Sequence, residues 1–364
     1  MCRFYDCVAV WGAMRGFINF TTVLLVSAFV LSGLGEAANA NITGDGASIL
    51  IYHRFGERGL PSTNIRLDQF DAHLQELSNE TYNVMSLPNI VSAFEKGSLL
   101  PDRTLAITID DAFLSVYTEA WPRLKKAGFP FTLFVSTGPI DNGTAGYMTW
   151  NHLRELVADG VTIGHHSVTH RRMHELSAAE NIKEIETANK RFLKELGIVP
   201  VLFSYPFGEY TPSVRDIVEA AGFRAAFGQH SGVAHNKADL LTLPRFSMNE
   251  KYGSIIRFRL VVNALPLPVS EVIPADPYLV NNPPVLGFTV APNLGDLARL
   301  SCFASHESKP ARLERLGERR IEVRLSKSFP PGRGRVNCTL PASDGRWRWF
   351  GIQFIVSDGV AETN

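Results

Sequence analysis

The chain has 364 residues, 45% of them hydrophobic, with 29 glycines, 21 prolines and four cysteines, and its 36 basic residues balance 36 acidic ones. This composition excludes a disordered or fibrous chain. The neutral balance argues against a nucleic-acid partner or a strongly anionic ligand and suits a neutral substrate better.

At the N-terminus, "MCRFYDCVAVWGAMRG" carries Arg3 and Arg15 ahead of the uncharged run "FINFTTVLLVSAFVLSGL". Ala38-Asn39-Ala40 then has the small-x-small form of a signal-peptidase site. Residues 1–40 are therefore read as an export signal, with Met14 as an alternative start, and the mature protein as periplasmic or secreted. The 18 apolar residues from Phe17 to Leu34 would also just span a bilayer, so an uncleaved signal is the one membrane contact expected. Cleavage removes Cys2 and Cys7. Cys302 and Cys338 remain and are expected to form a disulfide in an oxidising compartment, joining the two sheets of a C-terminal domain.

From residue 48 the pattern alternates. "SILIYH" reads as a strand and "LDQFDAHLQELSN" as a helix; "TLAITID" is a strand, and "FLSVYTEAWPRLKKAG" a helix containing Pro122. "PFTLFVS", "VTIGHHS", "VLFSYPFG" and "FRAAFG" are further strands, separated by the helical segments "TWNHLRELVADG", "SAAENIKEIETANKRFLKELG" and "TPSVRDIVEAAG". The longest helix carries its own start and stop signals, with Ser177 as cap, Glu180 three residues on and Gly197 at the end. Repeated β-then-α with near-continuous apolar strands predicts parallel strands wrapped by helices, as an open sheet or a barrel. After about residue 262 the pattern changes. A segment with six prolines, 263–285, precedes short strands in "VLGFTVA", "ARLSCFAS", "RIEVRLS", "GRVNCTL" and "RWRWFGIQFIV", which predict an antiparallel sandwich. Trp347 and Trp349 are expected to divide between its core and solvent. The expected organisation is a signal over 1–40, an α/β domain over 41–262 and an all-β domain over 263–364.

Parallel strands gather functional groups at their C-terminal ends. "TLAITID" ends in the adjacent carboxylates Asp110 and Asp111, which repel unless a cation, a proton or solvent relieves them. "VTIGHHS" leads into His166 and, after three intervening residues, His170. Two imidazoles and one carboxylate make a three-ligand set with an open position, suited to Zn²⁺ and compatible with Co²⁺, Ni²⁺ or Mn²⁺. The second aspartate is then free to act as a base on a metal-bound water. The Pro206-Phe207-Gly208 turn offers a backbone donor to an oxyanion.

"TIDD", "HSVTH" and "YPFGEY", in this order, resemble the first three motifs of the polysaccharide deacetylases of carbohydrate esterase family 4, over about residues 48–250. The resemblance implies a distorted (β/α) barrel and metal-dependent removal of acetyl groups from sugars. It implies Asp110 as catalytic base, Asp111, His166 and His170 as metal ligands, and the Phe207 N–H as oxyanion donor. Three features depart from the family pattern. Ala112 stands where glycine is usual. The arginine that often precedes the Pro-aromatic-Gly turn is replaced by the Ser204–Tyr205 region. The histidine general acid has no evident counterpart; His230 is the candidate, with His235, Arg245 and His53 also in view. "LPRF" and the early "YH" resemble exported deacetylases of poly-N-acetylglucosamine, which implies a polysaccharide of β-linked N-acetylhexosamine as the substrate partner. The alternatives are a non-catalytic carbohydrate-binding protein on the same fold, or a hydrolase of another acetylated sugar or small amide.

Overall fold

The computed structural model describes residues 43–358, so the expected export signal lies outside the described residues. Strands form where the sequence is apolar without interruption. β1 (Gly46–Tyr52), β2 (Thr104–Asp110), β3 (Phe131–Val135), β4 (Thr162–His165), β5 (Leu202–Ser204) and β6 (Ala225–Phe227) lie side by side in chain order, all parallel. Every position of β2 is buried, as in a strand covered on both faces. Helices α1 (Leu67–Leu77), α2 (Leu87–Glu95), α3 (Trp121–Ala127), α4 (Trp150–Ala158), α5 (Ala178–Leu196) and α6 (Pro212–Ala220) fill the crossovers. In α5 the Ser177 hydroxyl accepts from the Glu180 N–H (3.3 Å), and the Glu180 carboxylate accepts from the Ser177 N–H (2.8 Å). Gly197 ends this helix at φ 69°.

Two local readings change. The stretch expected as one helix from Phe113 is a π-helical turn, Val116–Ala120, that runs into α3. Pro122 sits in the first turn of α3, where no intrahelical N–H is needed. The barrel also gains a member that the sequence pattern does not announce. β7 (Phe246–Ser247) pairs in parallel with β1, and Leu243 bridges in parallel to Phe227 of β6. Residues 243–247 thus close the sheet between its first and last strands. Pro244 interrupts the apolar alternation there, which hides the strand.

After α7 (Ile255–Val262) the chain builds a sandwich from β8 (Leu265–Pro266), β9 (Val269–Ile273), β10 (Leu286–Val290), β11 (Ser301–Ala304), β12 (Arg312–Leu316), β13 (Arg320–Arg324), β14 (Gly332–Pro341) and β15 (Trp347–Val356). One sheet has the order β8-β15-β14-β11 and the other β9-β10-β13-β12. The proline-rich segment is therefore part of the fold and gives one strand to each sheet. Phe288, Val290, Val336, Leu340 and Phe354 fill the space between them. The fold is a distorted (β/α) barrel followed by an all-β sandwich.

The disulfide forms, but within one sheet. Cys302 of β11 lies directly opposite Cys338 of β14, with Cα atoms 4.0 Å apart, so the bridge staples neighbouring strands and does not join the two sheets. The tryptophans are corrected as well. Residues two apart on a strand share a face, so Trp347 and Trp349 both point away from the sandwich core. Trp349 meets Phe246 of β7 edge-on at 5.3 Å, while Trp347 is exposed.

Removing the bridge should act through loop closure. A Cys302→Ala/Cys338→Ala double variant is expected to lose about 2–4 kcal/mol in guanidinium unfolding, and the difference should vanish when both proteins are reduced.

Candidate active site

Register brings the ends of β1, β2, β4 and β5 to one rim. Tyr52 pairs with Ile109, Asp110 with Phe134, and His165 with both Val135 and Phe203. Asp110 is the last residue of β2, and neither it nor Arg245 has any side-chain exposure. Arg245 sits on the barrel-closing segment and spends all its N–H groups inside. Nη1 and Nη2 each donate to one Asp110 oxygen at 2.8 Å, and further donations go to Thr108 Oγ1 (3.2 Å), Ser204 Oγ (2.7 Å) and the Gly228 carbonyl (2.9 Å). Ser204 Oγ in turn donates to Asp110 (3.0 Å). Burial alone would raise the Asp110 pKa, but Arg245 and then His166 outweigh it and hold the carboxyl below its ordinary range. Asp110 is therefore ionised at neutral pH. The arginine missing before Pro206 is supplied from elsewhere in the chain.

Asp111, His166 and His170 converge beside this pair. Asp111 Oδ1 lies 3.4 Å from His166 Nε2 and 3.3 Å from His170 Nε2. Ligands about 2.0–2.1 Å from a tetrahedral Zn²⁺ stand roughly 3.3–3.5 Å apart, so the spacing fits such an ion. His166 Nδ1 donates to the Ser204 carbonyl (2.6 Å), which fixes the tautomer and leaves Nε2 as a lone-pair donor. That Nε2 is buried without a hydrogen-bond partner. The orphaned nitrogen, the short spacings and a nitrogen-and-oxygen donor set together fit a divalent metal. Burial works against charge on His166, yet the Asp111 and Asp110 carboxylates overcome it and raise its pKa. Asp111 is held well below the carboxylate range, its burial being outweighed by His166, His53 and His170.

The rim stores backbone strain. Among the described residues, eight without glycine's freedom have positive φ, and five of them are Asp111, Ala112, Ser167, His170 and Phe207. Such conformations persist only where the surroundings over-determine them. Ala112, at φ 55°, occupies a conformation that glycine would adopt without strain. The loop between His166 and His170 is held by Glu184 of α5, whose carboxylate accepts from the N–H groups of Val168 (2.9 Å) and Thr169 (2.8 Å). Phe207 is left-handed within the turn Pro206–Gly208, and its ring lies 4.6 Å from that of His170. Gly208 cannot be replaced easily: φ is +69° and a Cβ would sit 2.3 Å from the Gln229 nitrogen.

The remaining histidines separate. His53 follows β1 and feels both Asp111 and Asp110; burial is the larger influence and lowers its pKa. His165 is a core residue, stacked 5.2 Å from Phe203 and accepting the Ser167 N–H (3.1 Å). His230 stands apart from the Asp111–His166–His170 triad. Its carbonyl accepts the Arg245 N–H (2.9 Å), and its side chain lines a cavity of about 270 Å³ between barrel and sandwich, with Tyr210, Pro274 and Trp349. None of Asp110, Asp111, His166 or His170 lines that cavity. Trp150 is tied by its Nε1 to Asp141 (2.8 Å), and burial pushes Tyr210 up to about 12. Both are packing residues. Sequence reasoning missed two positions: Arg245 as the partner of Asp110, for which "LPRF" was the available signal, and Glu184, for which there was none.

Residues 98–226 match the polysaccharide deacetylase family. A poly-beta-1,6-N-acetyl-D-glucosamine N-deacetylase of Staphylococcus aureus is 22% identical over 213 residues, covering 55% of this chain and 73% of its own. In fold, the chain is similar to the deacetylase PplD of Streptococcus pyogenes, with a TM-score of 0.56, 23% identity, and coverage of 60% of this chain and 98% of that one. It is also similar to IcaB of Ammonifex degensii, with a TM-score of 0.52, the same 23% identity and the same 60% and 98% coverage.

The buried ion pair gives a stability test. Arg245→Met leaves Asp110 buried and unpaired, and urea unfolding should show a loss of about 3–5 kcal/mol. Adding Asp110→Asn to that variant should restore part of the loss.

Proposed function

We propose that this chain, which belongs to the polysaccharide deacetylase family through residues 98–226, is a hydrolase that removes N-acetyl groups from a polymer of β-linked N-acetylglucosamine. What carries this reading is the juxtaposition of the Asp111–His166–His170 triad with an ionised Asp110 clamped by Arg245. Asp111, His166 and His170 hold the metal, Zn²⁺ in the first instance, with Co²⁺, Ni²⁺ or Mn²⁺ as substitutes. When bound, the metal polarises the acetamide carbonyl and makes water more acidic.

The protein's own groups supply the rest. Asp110 accepts a proton from the water that adds to the acetamide carbon. The Phe207 N–H donates to the oxygen that becomes negative. His53, an imidazole under the electrostatic influence of both carboxylates, replaces His230 in this reading and gives a proton to the departing nitrogen. The C–N bond breaks to leave acetate and a free amine on the sugar. In the same reading the catalytic domain is 41–262, the sandwich is 263–364, and residues 1–40 direct export. Among the described residues, no helix is long and apolar enough to cross a membrane.

Acetate release from β-linked N-acetylglucosamine oligomers tests the activity. Release is expected with added Zn²⁺ and should stop on chelation; release only from acetyl esters or small amides would move the substrate assignment. Asp110→Asn should abolish turnover while metal stays bound, whereas His170→Ala should lose the metal. His53→Gln should cost about 10²–10⁴-fold in kcat, while His230→Gln stays near wild type; the reverse order would return the acid role to His230.

The pH profile provides a separate check. Because Arg245 lowers the Asp110 pKa, the base stays competent until the pH falls through that lowered value. Arg245→Met raises it, so the acidic limb of kcat/KM is expected to move to higher pH.

A further inference from the structure

We propose that the sandwich is a working part of the hydrolytic site, in which Gln353 and Arg333 are positioning residues that hold Phe207 in its left-handed conformation and so aim its N–H. This rests on the reading of that N–H as the oxyanion donor.

Odd-numbered residues of β14 and β15 face away from the sandwich core and toward the barrel. The approach is close: Gly351 has no side chain, and a Cβ there would come 2.1 Å from the Ser231 carbonyl oxygen. Two residues on, Gln353 is 6% exposed and donates from Nε2 to the carbonyls of Phe207 and Gly208, each at 3.3 Å. Its orientation is settled by Arg335, opposite it in register, whose Nε donates to Gln353 Oε1 (3.0 Å). Arg333, next on the same face of β14, donates from Nη1 to the Phe207 carbonyl (3.3 Å). Its Nε also lies 3.8 Å from Glu209, whose side chain is fully buried. Glu209 pairs in turn with Arg172 of the barrel, whose guanidinium lies 4.6 Å over the Phe207 ring.

Phe207 is therefore gripped from two sides. His170 and Arg172 hold its ring, while Gln353 and Arg333 hold its carbonyl. A side-chain-bearing residue at φ 59° persists only under such constraint. The carbonyl bonds hold the carbonyl carbon and the ring contacts hold Cβ, so the third Cα substituent, the amide nitrogen, is placed with them and a change of φ would break one set of contacts. Without the carbonyl donors the residue relaxes toward negative φ and the N–H swings away from the rim. Neither Gln353 nor Arg333 touches the reacting atoms.

The test uses the full chain with metal. In Gln353→Leu and in Arg333→Met, kcat is expected to fall about 10- to 100-fold with KM within about twofold, less than or equal to the loss from deleting an oxyanion donor. Bound metal should be unchanged, and Arg333→Lys should recover most of the loss because it can still donate to the carbonyl. Hydrogen–deuterium exchange in the peptide covering 205–210 should rise in both variants. Wild-type kcat in the folded variants, or unchanged exchange in that peptide, would overturn the proposal. A wild-type protein that releases no acetate would sink the activity assignment instead, and the exchange measurement would still decide whether the sandwich holds Phe207.

Discussion

The structure turns on one buried ion pair. Asp110 ends the strand at the centre of the rim, and Arg245 reaches it from the segment that closes the barrel. An unpaired carboxylate at that depth would take up a proton, because desolvation is its largest single influence. The guanidinium keeps it ionised and fills its remaining valences with Thr108, Ser204 and the Gly228 carbonyl. Ser204 then links the pair to the Asp111–His166–His170 triad, since its carbonyl sets the tautomer of His166. Asp110, His166 and the barrel closure are therefore one connected network. Loss of any member leaves a buried polar group without a partner.

The adjacent carboxylates follow from the same arrangement. Asp110 is relieved by Arg245 from below, and Asp111 by imidazoles on the rim. Their repulsion is thus split between two different cations or cation sites. The strained φ values at Asp111, Ala112, Ser167, His170 and Phe207 belong to the same logic. Of these, Asp111 and His170 carry side chains that converge with His166, and the parallel sheet beneath supplies the rigidity that keeps them there.

Much of this was legible in the sequence. Long apolar strands, the Ser177–Glu180 cap and the motif residues at strand ends each carry a local signal strong enough to read. Alternation gave parallel strands wrapped by helices, as an open sheet or a barrel, and the resemblance to the family pointed to the barrel. Arg245 was seen but assigned no partner, because nothing local states that Leu243 will bridge to Phe227 while Phe246 pairs with Leu50. Closure is a long-range event, and Pro244 masks the strand that achieves it. His230 was placed beyond the reach of sequence for a related reason. A histidine in a loop carries no mark of which side of the barrel wall it will line. The disulfide partners were foreseen, whereas their placement within one sheet depended on cross-strand register, which spacing does not reveal.

Closure by residues 243–247 also ties the charge of Asp110 to the completeness of the barrel. The aspartate comes from the second strand of the barrel and its counter-ion from the last, so the two meet only when the ring of strands is complete. With the ring open, the guanidinium that holds this carboxyl ionised would not be beside it.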